Sequence, residues 1–198
     1  GKYNKADLIE KLQLNSHKPT IVYAPAFNEN ASLRDEGLEI IQTLSHSGKY
    51  NVIAKLPIDC LNPVTNFYAN GGVDWFEEIS KLQTKYSNFK LFKETKIDAL
   101  LNSADILITC VSSVGLEFLA LNKPVIFIYK PKFYSNIREI FPEADVKNWQ
   151  ERSTINGGHE FGEVISNYKE LPEKIEYILS NLQKYPKRKS KLRKYLLY

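Results

Sequence analysis

Two serines and a glutamate carry the chemistry that can be read most directly from this chain. Ser112 and Ser113 end an apolar run, Ala104-Asp105-Ile106-Leu107-Ile108-Thr109-Cys110, and open an apolar-periodic segment from Val114 to Leu121. The run reads as a buried strand and the segment as a helix. A helix start has backbone N–H groups without internal partners, and its dipole favours an anion. Serine hydroxyls add donors, and small side chains let a phosphate approach. Ser112, Ser113 and Val114 are therefore the candidate phosphate-binding residues. Glu117 lies one helical turn beyond Ser113, on the same face. A carboxylate there is badly placed for phosphate and well placed to accept hydrogen bonds from two ribose hydroxyls. Together they describe a nucleoside-diphosphate site. A plainer reading of the same residues stays open: serine is a common N-cap, and Glu117 can simply face solvent.

The flanking elements fit this placement. Thr20 to Ala24 is a short β-rich run stopped by Pro25, and Asn51 to Leu56 is a second, closed by Pro57. Phe89 to Phe92, Val125 to Tyr129 and Glu163 to Ile165 supply further strands, with helices expected over 7–14, 36–44, 74–82, 97–102, 135–140 and 172–182. Residues 59–73 read as a loop, with Asn62-Pro63 and Gly71-Gly72 as breakers. Strands alternating with helices predict an α/β domain: a Rossmann-like parallel sheet with helices on both faces. In such sheets ligands bind outside the carboxyl ends of the strands, where the Ser112-Ser113 turn must lie.

Composition narrows the rest. Of 198 residues, 43% are apolar and 25% charged, as in an ordinary globular domain. No apolar run approaches the ~18 residues of a membrane span. Two cysteines, Cys60 and Cys110, cannot build a disulfide framework. His17, His46 and His159 share no ligand spacing, so no metal site is expected. No Gly-x-Gly-x-x-Gly or Walker-type loop supports NAD or ATP. The absence of methionine and the start at Gly1 read as a tag remnant ahead of a fragment. The net charge of +4 is concentrated at one end. Lys184, Lys187, Arg188, Lys189, Lys191, Arg193 and Lys194 stand without an acid; the other residues carry twenty positive charges against twenty-three negative. The domain is thus expected at 1–182 and a basic helix or tail at 183–198. Nucleic acid is not an expected partner. The tail reads either as a solvated helix or as a contact with an anionic membrane surface.

The stretch from Ala104 to Ile126 as a whole, with Asn122-Lys123-Pro124 before the next strand, resembles the donor-binding half of GT-B glycosyltransferases. Within that class it resembles the CDP-glycerol glycerophosphotransferases of teichoic-acid synthesis, and it shares a half-fold with UDP-N-acetylglucosamine 2-epimerases. The resemblance follows the order of elements over about residues 18–182. Only 104–126 is specific. It implies that Ser112 and Ser113 hold donor phosphates and that Glu117 holds the ribose. It implies a transferase using a CDP- or UDP-linked donor without a cofactor or obligatory metal. The catalytic base, unassigned here, is expected in an N-terminal half that completes the cleft and is not part of this chain, so the fragment alone is expected to be inactive. A cytoplasmic enzyme, peripheral at the inner face of the cell membrane and acting on a lipid-linked acceptor, would follow. An epimerase-like enzyme and a non-catalytic nucleotide-binding domain are the alternatives.

The chain also departs from that family. Ala24-Pro25-Ala26-Phe27-Asn28 stands where the family has Ala-Pro-Thr-Phe-Arg, Lys55-Leu56-Pro57 where it has a His-Pro turn, and Cys110 where it has Asp. Pro25, Phe27, Asn28, Lys55 and His159 are the candidate cleft-lining residues. Lys55 offers a positive charge to a diphosphate. His159 follows Gly157-Gly158, which permits close backbone approach.

Overall fold

The computed structural model describes residues 4–26, 30–61, 72–132, 159 and 161–185. Helix α1 (Lys5–Lys11) precedes strand β1 (Thr20–Tyr23). Helix α2 (Ser32–His46), β2 (Asn51–Ala54), α3 (Trp75–Lys85), β3 (Phe89–Leu91), α4 (Asp98–Ser103) and β4 (Ile106–Thr109) follow. Then come α5 (Ser113–Ala120), β5 (Val125–Ile128), β6 (Glu163–Ile165) and α6 (Leu171–Leu179). The six strands form one sheet in the order β3-β2-β1-β4-β5-β6 with every pairing parallel. The expected α/β architecture is therefore present.

Continuous burial along β1, β2, β4 and β5 explains their unbroken apolar sequences: each has a helical layer on both faces. Side-chain alternation divides the core. Ile21, Tyr23, Val52, Ala54, Ile106, Ile108, Ile126 and Ile128 pack toward α2, α3 and α6 through Ile40, Ile41, Leu44, Ile79 and Ile175. Val22, Ala24, Ile53, Leu107, Val125 and Phe127 pack toward α1, α4 and α5 through Leu8, Leu100, Val114 and Phe118. At ~25 cal/mol per Å², each fully buried Val, Leu, Ile or Phe among them contributes about 1.5–3 kcal/mol before entropy is counted.

Local chemistry sets the element ends. Asp74 caps α3 by accepting from the Glu77 amide at 2.9 Å. Lys123 closes α4 by donating to the carbonyls of Leu101 at 3.1 Å and Ala104 at 2.7 Å. Pro172 lies in the first turn of α6, where its missing N–H costs nothing. Helix α2 starts four residues earlier than the periodicity indicates, and Glu36 (φ −151°, ψ 19°) breaks it into two segments. Ser32, in the first segment, is buried and shares a 2.9 Å hydrogen bond with the Tyr23 hydroxyl. The helix expected over 135–140 lies outside the described residues.

Candidate nucleotide-phosphate site

The sheet order reverses between β1 and β4. The segments leaving those two strands diverge to opposite sides and leave a crevice at their carboxyl ends. Two contacts hold the exits together. The Thr109 hydroxyl donates to the Ala24 carbonyl at 2.7 Å, and the Ala26 amide donates to Cys110 Sγ at 3.4 Å. Cys110 is buried, and so are Ala24, Pro25 and Ala26. The β1 exit is thus pinned against the β4 exit directly beneath the start of α5.

Ser112 is the N-cap of α5, with an extended backbone (φ −151°, ψ 140°). Its hydroxyl oxygen accepts from the Val114 amide at 3.4 Å, a long and weak bond, and its carbonyl accepts from the Gly115 amide at 3.2 Å. The cap function and an anion site are thus compatible. The Ser112 proton remains to donate outward, and among the described residues nothing accepts from the Ser113 amide. Ser113 is exposed, Ser112 half-buried, and Val114 presents only its backbone because its side chain is buried. Glu117 is exposed, and no described residue bonds to it.

A glycine lets this helix start sit low on the sheet. A Cβ on Gly115 would lie 2.6 Å from Phe127 Cε1, 3.0 Å from Cζ and 3.3 Å from Thr109 Cγ2. On the opposite edge of the same ring, a Cβ on Gly162 would lie 2.6 Å from Cε2 and 2.7 Å from Cδ2. The aromatic ring is therefore clasped between two glycine backbones. His159 stacks on it at 4.8 Å between centroids, tilted by 49°, with Tyr129 at 6.4 Å. Burial holds the His159 pKa below the usual value, and its Nε2 is buried without a partner among the described residues. This places His159 on the α5 face of the sheet, beyond β5.

Lys55 follows β2. Its amide still pairs with Tyr23 O at 2.9 Å, and the alternation continues beyond the strand, with Ile53 in the α5-side core and Ala54 and Leu56 in the other. Lys55 therefore projects on the face of α5. It is half-buried, and burial lowers its pKa. Among the described residues its side chain donates to the neighbouring Leu56 carbonyl at 3.2 Å. Phe27 and Asn28 lie outside the described residues.

A polar layer that the sequence reading did not identify supports the site from the other face. Lys130, just past β5 and only 12% exposed, meets Glu36 at 2.7 Å and Asp35 at 3.3 Å. The Glu36 contact is ionic, off the angle of a hydrogen bond. It ties the break in α2 to the end of β5. Tyr23 lies nearby, fully buried, its pKa raised well above normal by burial and then by Cys110, Glu36 and Cys60. An acid in an otherwise apolar-periodic helix was the available signal for Glu36; nothing in the sequence paired it with Lys130.

A separate groove of about 270 Å³ lies between α2 and α6, lined by Thr43, Tyr50, Ile175 and Glu176. It opens near the amino end of β2, and its carboxylate is engaged by Lys49 and Tyr50 at 2.9 and 2.7 Å. It is therefore not the phosphate crevice. Among the described residues no group of histidines, cysteines and acids could hold a metal, and no helix is long and apolar enough to cross a membrane.

Known proteins place this geometry in a family. The chain is 33% identical over 144 residues to the teichoic acid glycerol-phosphate primase of Bacillus subtilis (strain 168), a match covering 68% of this chain and 32% of the relative. The matched region is thus about a third of that relative's length. Among solved structures, the wall teichoic acid polymerase TagF superposes with a TM-score of 0.57 at 16% identity, over 95% of this chain and 41% of TagF. UDP-GlcNAc 2-epimerase from Neisseria meningitidis, bound to UDP-GlcNAc, gives 0.54 at 14% identity over 92% and 42%. The lipopolysaccharide glycosyltransferase WaaG gives 0.53 at 15% identity over 97% and 46%. These likenesses establish the GT-B type of α/β fold. The family model for CDP-Glycerol:Poly(glycerophosphate) glycerophosphotransferase matches residues 2–198, and the chain belongs to that family.

Proposed function

We propose that this chain is the donor-nucleotide-binding half of a glycerophosphotransferase of cell-surface polymer synthesis, with a CDP-linked polyol phosphate as its donor. The observation that carries this reading is the start of α5. Outward hydroxyls of Ser112 and Ser113 and the open Ser113 amide stand at the sheet's switch point, with a free carboxylate, Glu117, one turn on. Family membership supplies the donor class, and a variant of TagF was studied with CDPG. An acceptor hydroxyl oxygen would attack the phosphorus bearing the glycerol. The phosphoanhydride bond would break and CMP depart with its electron pair, while the hydroxyl proton passes to a base outside this chain. The α5 donors would stabilise charge on the nucleotide phosphate as it leaves, an electrostatic contribution in a partly dry crevice. Glu117 would hold the ribose, and His159 and Tyr129 would wall the side beyond β5. The N-terminal half that completes the cleft, the lipid-linked acceptor and a peripheral position at the membrane belong to the same proposal.

Calorimetry with CDP, UDP, GDP and ADP tests it. Binding of CDP at millimolar affinity or tighter is expected, with CDP preferred. A folded chain that responds to none of the four refutes the reading.

A further inference from the structure

Among the described residues Lys55 is a cation without an anion. It is half-buried, yet no described acid pairs with it, and burial alone, with no neighbouring charge, acts on its pKa. The other strongly buried lysine heads are compensated: Lys130 by Glu36 and Asp35, Lys123 by the carbonyls that end α4. An ammonium drawn partly out of water with only the Leu56 carbonyl beside it among the described residues lowers stability, so its persistence at the carboxyl edge of the sheet points to an anion that arrives from outside.

Its position restricts which anion. Lys55 stands at the end of β2, and the α5 start at the end of β4, two strand spacings or ~10 Å apart. Alternation puts its side chain on the α5 face. A four-carbon stem covers much of that span and brings the ammonium to a group lying over β1. Pro25 and Ala26, at the exit of β1 between them, are buried. If α5 takes the phosphate next to the ribose, the next phosphate outward lies over β1.

We propose that Lys55 binds the terminal phosphate of the donor, the one whose phosphorus is transferred. The proposal rests on the donor-site reading above. It assigns Lys55 to neutralising the phosphoryl oxygens under attack, and the start of α5 to the departing nucleotide. CDP carries both phosphates and CMP only the inner one, so the pair isolates the contact.

Titration of the 198-residue chain and its Lys55→Ala variant with CDP and CMP, each sample first shown to unfold cooperatively, is the test. Lys55→Ala should weaken CDP by about tenfold or more and CMP by less than about twofold, the usual loss for a hydrogen bond to a charged group. A second readout is independent of side-chain removal. The preference for CDP over CMP should fall as pH is raised above neutrality toward the ordinary lysine range, where the phosphates are already fully ionised and a lysine whose pKa burial has lowered discharges. Lys55→Arg should hold the preference constant across that range. Equal weakening of CDP and CMP, unchanged CDP affinity in Lys55→Ala, or a preference that falls equally in Lys55→Arg would each overturn the assignment while leaving the donor site standing. A wild-type chain that binds neither nucleotide would overturn both.

Discussion

Replacing Gly115 with alanine tests whether the closeness of α5 to the sheet makes the site. The backbone is helical there, so alanine gains about 1 kcal/mol of helix propensity. Against this, its Cβ would sit 2.6 Å from Phe127 Cε1, about 1 Å inside an ordinary carbon–carbon contact. The ring cannot swing away, because the Gly162 backbone occupies its other edge. The helix start must lift instead. Overpacking of this kind costs about 1–3 kcal/mol, so after the propensity gain the net loss should be at most about 2 kcal/mol. In a chain of this length that lowers Tm by up to about 8 °C. A lift of the first turn also misaligns the Ser112 and Ser113 donors, and CDP should bind about tenfold more weakly. Thermal unfolding and calorimetry on the same samples give both numbers. Adding Phe127→Leu, which shortens the obstructing ring, should return part of the CDP affinity. An alanine variant with unchanged or higher Tm and unchanged CDP affinity would refute the packing argument.

Glu117→Ala should weaken CDP by ~1.5–3 kcal/mol with Tm unchanged, because the carboxylate is exposed and unbonded; a lowered Tm with intact affinity would assign it to the fold. Glu36→Gln removes the buried partner of Lys130 and should cost about 3 kcal/mol in urea unfolding, more than the removal of any exposed ion pair such as Lys81–Glu77. Burial keeps His159 neutral, its folded pKa below the unfolded value of 6.5. The stability gained from burying the neutral ring is therefore complete above about pH 6.5 and is lost as pH falls through the lower folded value. Unfolding at pH 7.5 and 5.5 should show a larger acid loss in wild type than in His159→Gln. For the basic terminus, the chain should bind vesicles only when they carry anionic lipid, and less as salt rises. Tyr185 is buried and donates to Glu163 at 3.0 Å, so the informative truncation begins at Pro186. Equal vesicle binding by the truncated chain would exclude a surface role for the tail.

The sheet was legible because each strand is short, apolar and punctuated. Pro25, Pro57 and Pro124 stand at strand borders, and the run from Ile106 to Thr109 is flanked by Ala104-Asp105 and by the cap Ser112. The early start of α2 was not legible, because Ser32 to Asp35 carry no apolar period. That first turn is held by the Ser32–Tyr23 bond and by ion pairing of Asp35 and Glu36 with Lys130, all contacts between distant residues. For the candidate site, spacing alone was enough to put the serine pair and Glu117 at the start of one helix. Lys55 was noted as a charge near the crevice. Its alignment with α5 required the strand order, which no local pattern contains. The clasp of Phe127 between Gly115 and Gly162 likewise depends on two elements brought together by the sheet.

Amide chemical-shift mapping of the chain during titration with CDP-glycerol tests the donor site most directly. Ser112 to Gly115 should shift first and saturably, with Glu117 and Lys55 in the same set and the groove lined by Thr43, Tyr50 and Glu176 unmoved. Saturable shifts confined to that groove, with the start of α5 silent, would contradict the donor-site assignment.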